Sequence, residues 1–447
     1  MANQKSLDKL QKLIQDSTNK AIINNVEQTS KSSNNFTGVN LENADLSLSD
    51  LDDINLSETI LKGAYLLCAN LKRTNFSNSD LSYANLRGAI MWFANLSKVN
   101  FQGADLRGAS FREANLDSAN LEYANLWRTE IINSKLIETN LTNANLTNAN
   151  LRNSNLTNAN FSYAELKNAN LSEANLTGTN LSYGNLRNVI LKDANLKNAN
   201  LSNINLVESK LNRANCEGAN FYCANLYCTN FSHANLHNAK LRDANLDYVN
   251  FRGVKINDGT ELDNKWRLVW DIVNHGAYGK NLSGTNLENA DLKGANIGSV
   301  NLTNANLRYA NLRYANLSNA NLTNTQLTNT NLTDINFIKA NLYNANMQGA
   351  NLSHSLLFNS IMTGALLNQA KLIKTELCDA ELSNAKLMMA NLMNANLKNA
   401  RLLGADLRET NLEGAKLGGA VFGNNLGISE EMKQELIKRG AVFEDED

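Results

Sequence analysis

Every fifth residue along most of this chain is large and apolar. From Phe36 to Ile256 the rule holds without a gap, through Leu41, Leu46, Leu51 and Leu56. It resumes one residue out of phase at Leu282 and runs to Phe422. Of these 74 positions, 57 are Leu, 10 Phe, three Ile, three Met and one Cys. The residue two before each is small, usually Ala, Ser or Thr, and the residue one before is Asn in 46 cases and Asp in six. A period of five matches neither a helix nor a flat strand, which excludes a long amphipathic element of either kind. One large and one small inward residue in every five describe a chain that turns a corner at each repeat. Three residues cross a face and two make the bend. Four faces close a coil, and successive coils stack about 4.8 Å apart through parallel ladders.

The turns are legible too. The residue two after each centre is often Asn or Gly, as at Gly63, Gly88, Gly103, Asn143 and Asn148. That choice suits the positive φ of a type II turn. The 447 residues include no proline, where ordinary usage would supply about 22. A ladder that needs backbone N–H groups coil after coil accounts for this. The unit Ala-(Asp/Asn)-Leu-X-X, plain in Thr142-Asn143-Ala144-Asn145-Leu146-Thr147-Asn148-Ala149-Asn150-Leu151, resembles the pentapeptide-repeat proteins. That resemblance implies an all-β fold, a right-handed quadrilateral β-helix (a solenoid), here in two arrays, 36–256 and 282–422. It also implies that the motif residues pack the core and leave function to other positions.

Residues 257–281 break the rhythm. Within them Trp266, Val269, Trp270 and Val273 fall at i, i+3, i+4 and i+7, which predicts an amphipathic helix, with Thr260 and Asp263 as a capping box and Gly276 as its stop. The expected role of this insert is a plug over the open end of the first array. The run from Lys265 to Asn274 also resembles an element of large cyanobacterial members of the family. Open coil ends expose strand edges and core, so short α-helical caps are expected at both termini. In 1–35, Leu7, Leu10, Leu13 and Ile14 have helical spacing. In 423–447, Ser429 precedes Glu430 and Glu431, while Lys438 and Arg439 precede Gly440, an order that suits the helix dipole. The closing Glu444-Asp445-Glu446-Asp447 reads as a solvated acidic tail.

Reactive chemistry is sparse. Cys216, Cys223, Cys228, His233 and His237 form the densest set of possible metal ligands. A zinc site needs its ligands within about 2.3 Å of one point, and residues five apart belong to successive faces. No metal, no cofactor and no catalytic residue is therefore expected, and a non-enzymatic scaffold or protein–protein interaction module is the predicted function. Its partner would be another protein or a second copy in a homodimer. Net charge is −1 overall, with +2 on residues 1–35 and −4 on 423–447, which leaves the arrays near neutral. That removes the electrostatic case for nucleic acid. It also tells against an alternative suggested by the resemblance, DNA mimicry aimed at type II topoisomerases, which needs a strongly negative rod. A further alternative is a regulator associated with a membrane or photosynthetic complex. No apolar run reaches the ~18 residues of a membrane span, the first residues do not form a secretion signal, and five scattered cysteines do not make a disulfide framework. A cytoplasmic location follows as the expectation.

Two outward clusters stand out. Leu356, Ile361 and Leu366 take seats normally given to Asn, followed by Lys371, Glu376, Glu381 and Lys386. Phe358, Ile373, Met388, Met393 and Leu403 add outward apolar side chains nearby. Exposed patches of this kind are uncommon on monomers, so they predict a lateral interface in which Met supplies adaptable contacts. The second cluster is Trp92 and Phe93, with Lys72 and Arg112 twenty residues either side of Trp92, beside a column of Leu67, Arg87, Arg107 and Trp127. Arg beside Trp suits both cation–π packing and a binding hot spot.

Overall fold

The computed structural model describes residues 8, 10–12 and 34–444, and one repeat explains its coil. Leu141 N–H donates to the Asn160 carbonyl at 2.7 Å, Asn143 N–H to Ser162 at 3.1 Å and Asn145 N–H to Ala124 at 3.0 Å, all on neighbouring coils. Ala144 N–H closes the bend on the Leu141 carbonyl at 3.1 Å, with Asn143 at φ 57° as a type II turn requires. The remaining donor, Thr142 N–H, binds Oδ1 of Asn140 at 3.2 Å. All five N–H groups are used. Asn140 also donates from Nδ2 to Oδ1 of Asn120, one coil back, at 3.0 Å. Asn therefore dominates the seat before each centre because one side chain caps the bend and links coils. The lack of proline has the same two-part cause, since only three of the five donors serve the ladder.

The core is a column of alternating large and small residues. Leu141 and Ala144 are wholly buried, as are nearly all their equivalents. Where Ser or Thr takes the small seat, its hydroxyl often donates to a carbonyl of the coil before, as Thr139 does to Leu116 at 2.9 Å and Ser209 to Leu186 at 2.8 Å, or to its own repeat, as Thr129 does to Leu126 at 2.7 Å. Most of these buried hydroxyls find an acceptor, which keeps the polar substitution cheap, whereas Ser49 and Ser360 Oγ have none.

The chain divides into two compact units, Met1–Leu246 with Gly253–Asp263, and Asp247–Arg252 with Asn264–Asp447. In the first, parallel bridges join residues 20 apart from Asn35 and Asn55 onward, and the last joins Lys240 to Glu261. The one extra residue is absorbed in a bend where Thr260 Oγ1 donates to the Leu236 carbonyl at 2.9 Å. Thr260 thus serves the coil and does not cap a helix. Residues 8 and 10–12 are helical with Leu10 buried, whereas Leu7, Leu13 and Ile14 lie outside the described residues, as do Asp445-Glu446-Asp447.

The second unit contains helix α1, Asn264–His275, whose buried residues are Trp266, Val269 and Ile272. Trp270 and Val273 are half-buried. The buried line thus passes through Ile272 instead of Val273, a shift that the i, i+3, i+4 spacing alone does not resolve. Trp270 packs edge-on against His275, with ring centroids 5.0 Å apart. Asn274 Nδ2 donates to the Phe251 carbonyl at 3.0 Å, tying the end of α1 to the 247–252 segment. Coiling continues from Asn281 to Leu426. Strand β1, Val421–Phe422, then pairs in parallel with β2, Val442–Phe443, after helix α2, Glu430–Lys438. Ser429 Oγ accepts from Met432 N–H at 3.2 Å at the start of α2, Leu436 is buried, and the Arg439 guanidinium donates to the Leu412 carbonyl at 2.7 Å.

Proline substitution tests the donor assignment. Thr142→Pro should cost only about 1 kcal/mol, the lost bond to Asn140, because proline suits that place in a type II turn. Asn143→Pro imposes a φ of about −65° on a residue at φ 57° and should unfold the coil. Leu141→Ala should cost about 2–5 kcal/mol through the cavity it leaves. Urea melts followed by far-UV circular dichroism rank the three, and equal losses for the two proline variants would refute the assignment. Trp266→Asp puts a carboxylate at a residue only 6% exposed; a melting temperature that does not fall would show that Trp266 packs nothing.

Candidate interaction surfaces

The apolar run of the second unit encircles the coil. Bridges link Leu356 to Asn336 and Glu376, Ile361 to Asn341 and Glu381, and Leu366 to Asn346 and Lys386, so these three occupy three successive faces. The eight apolar residues fall into pairs, one pair to a face: Leu356 with Phe358, Ile361 with Leu403, Leu366 with Met388, and Ile373 with Met393. A step of five residues turns the chain through a corner, which is why neighbours in the sequence pattern do not converge on one side. Leu356, Ile361 and Leu366 are 37%, 46% and 38% exposed, and Met389, at φ 59° beside Met388, is 48% exposed. Phe358, Ile373, Met388, Met393 and Leu403 are half-buried.

In the first unit Trp92 is held on several sides. Lys72 Nζ lies 4.6 Å and Arg112 Cζ 5.7 Å from its ring centroid, and its Nε1–H donates to Ser110 Oγ at 2.8 Å. Arg112 in turn donates to Glu130 at 2.9 Å. This is a satisfied stack worth about 0.5–1 kcal/mol per cation–π contact, and Phe93 beside it remains exposed. Leu67, Arg87, Arg107 and Trp127 do stack one to a coil, but Arg107 and Trp127 take other side-chain partners. Arg107 pairs with Asp105, Nε to Oδ1 at 2.8 Å, and its guanidinium holds that carboxyl below the usual carboxylate range. Trp127 instead takes Arg128, its own neighbour, at 4.2 Å.

Sequence reasoning passed over a third feature. Tyr83, Tyr123, Tyr163 and Tyr183 share one corner of the first unit, all with φ between 58° and 61° and all more than half exposed. The rings of Tyr163 and Tyr183 stack in parallel 5.0 Å apart. The Tyr83 ring covers Gly103, where an added Cβ would meet it at 2.8 Å. The left-handed conformation costs an ordinary L-residue roughly 1–2 kcal/mol, and Asn or Gly avoids most of it. Spacings that are multiples of 20 were the available signal.

The cysteines and histidines stay apart. Cys216 is buried, and burial pushes its thiol pKa up; Cys223 and Cys228 are exposed. Among the described residues no three His, Cys, Asp or Glu side chains are grouped to hold a metal ion, and no helix is long and apolar enough to cross a membrane.

Comparison with known proteins agrees with the coil. No curated protein matches the chain. Solved structures similar to it include HetL, a pentapeptide repeat protein involved in heterocyst differentiation regulation from Nostoc sp. strain PCC 7120. It is 28% identical over 55% of this chain and 100% of its own, with a TM-score of 0.34. Rfr23 from Cyanothece 51142 is 29% identical over 30% of this chain and 91% of its own, with a TM-score of 0.23. The protein alr5209 from Nostoc PCC 7120 is 33% identical over 24% and 84%, with a TM-score of 0.14. The family model described as pentapeptide repeats, in eight copies, matches from residue 35 to 258 and from 281 to 424, broken only at 93, 130–133 and 358–359. With its five-residue repeat, its parallel bridges and this match over most of its length, the chain belongs to the pentapeptide-repeat family, whose members fold as right-handed β-helices.

Proposed function

We propose that this protein is a non-enzymatic scaffold that recognises another protein, or a second copy of itself, through outward side chains. We read its organisation as two arrays, 36–256 and 282–422, with the helical insert 257–281 between them and helical caps at 1–35 and 423–447, in a cytoplasmic protein. The observation that carries the proposal is a set of exposed residues that the coil itself does not want. At 356, 361 and 366 an Asn would cap the bend and link coils, whereas Leu and Ile do neither and meet solvent. A lone fold gains nothing from the exchange, but a partner that buries these side chains does. The Tyr column adds the same trade at four left-handed turn positions. Near-neutral arrays support a protein partner over DNA mimicry.

Restoring the repeat separates function from structure. The triple change Leu356→Asn, Ile361→Asn and Leu366→Asn returns the missing acceptors, so the melting temperature should hold or rise. Changing the four tyrosines to Asn should do the same by relieving left-handed strain. Affinity capture from the native cell, with sedimentation of the pure protein, should then show bound proteins or self-association lost in one or both variants. If both variants keep every partner and the same oligomeric state, neither surface is used.

A further inference from the structure

The regular coil has an interior filled by its Leu and Ala side chains, but the repeat is interrupted once. The spacing from Ile256 to Leu282 exceeds five repeats by one residue, and the family model stops at 258 and resumes at 281. Within the second unit, Tyr248 N–H donates to the Asn289 carbonyl at 2.9 Å, a partner 41 residues on. Asn289 Nδ2 returns a bond to Asp247 at 2.9 Å. Beside this joint lies a hollow of about 440 Å³, lined by Arg252, Lys293, Asp291, Tyr314 and Val273 of helix α1 among others, all in that unit. Its size lies within the range of small-molecule sites.

The wall chemistry is specific. Arg252 is fixed by a bond from its guanidinium to the Lys293 carbonyl at 2.6 Å. Gly294 leaves room for it, since a Cβ there would come within 3.1 Å of that guanidinium. Some arginines elsewhere on the coils, Arg112, Arg213 and Arg313 among them, are paired with carboxylates. Neither Arg252 nor Lys293 forms an ion pair among the described residues. The Tyr314 ring stands between cations, with Lys293 at 5.9 Å and Arg313 at 4.5 Å from its centroid. Asp291 is largely occupied: its Oδ1 accepts from Asn311 Nδ2 at 2.8 Å and from the Lys293 N–H at 3.4 Å.

We infer that this hollow binds a small oxyanion, a carboxylate or phosphate on a compact organic body, held by Arg252 and Lys293 beside the Tyr314 ring. Arg supplies a planar, permanently charged fork suited to either oxyanion, and Lys adds a mobile point charge. Asp291 opposes the ligand and tempers its affinity. The site is a product of the interruption, so it is independent of the surfaces proposed for protein partners.

The test uses the full chain and three probes: inorganic phosphate, citrate and adenosine monophosphate, each titrated calorimetrically and by thermal melting against NaCl of equal ionic strength. At least one should bind saturably at millimolar concentration or below. Arg252→Gln with Lys293→Gln should weaken that binding at least about tenfold, the loss expected for one or two charge-assisted bonds. Asp291→Asn should strengthen it, and that variant keeps the fold because Asn is the usual residue of its seat. Arg213→Gln, in the first unit, should change nothing. No saturable binding of any probe overturns the proposal, as does binding that survives in the double variant. Should the double variant fail to fold, Asp291→Asn decides alone, and an affinity that does not rise overturns the proposal.

Discussion

The bond from a turn N–H to the Asn side chain before it is what lets this chain repeat without strain. A coil with a corner at every fifth residue leaves one backbone donor per repeat that neither the ladder nor the bend uses. Hydration would satisfy it, but an Asn at the preceding seat satisfies it internally and spends its amide on the coil before, as Asn55 does on Asn35 at 2.8 Å. The result is an outer lattice of amides along each face that matches the inner column of Leu and Ala. Each coil therefore contacts only its neighbours, through the same few interactions, and stability accumulates coil by coil as in other solenoids.

How far the fold was legible follows from this. The inward pattern is a matter of burial alone and could be read from Leu and Ala at fixed spacing, and the turn conformation from Asn and Gly two residues on. The abundance of Asn before each centre does not reveal its job, because its bond to the backbone is local and leaves no period of its own. Thr260 looked like half of a capping box, yet its hydroxyl belongs to Leu236, twenty-four residues earlier. Spacing within a segment does not show which element will claim a side chain.

The surfaces were less legible for a related reason. Corner side chains choose among several neighbours, and short-range partners win: Arg107 takes Asp105 two residues away, and Trp127 takes Arg128. Leu356, Ile361 and Leu366 look contiguous when written in a line and yet face three ways. The four tyrosines, scattered over a hundred residues of sequence, form one edge. On a solenoid the useful coordinate is position within the coil, and patches must be sought along columns, one residue from each turn.

A repeat whose every donor and every core seat is occupied has little freedom to evolve a site by altering its interior. Two freedoms remain. One is to give up outward hydrogen bonds, at a cost of roughly 0.5–1.5 kcal/mol each, and use the seat for recognition, as we propose for 356–366 and the tyrosine edge. The other is to break the period. An interruption forces one coil to pair across a gap of 41 residues, as Tyr248 does with Asn289, and the mismatch leaves space that no repeat residue fills. Recognition of large, flat partners suits the first freedom and small-ligand binding suits the second. The interruption supplies such a concave, polar-walled hollow in the second unit, lined by Arg252, Asp291 and Lys293.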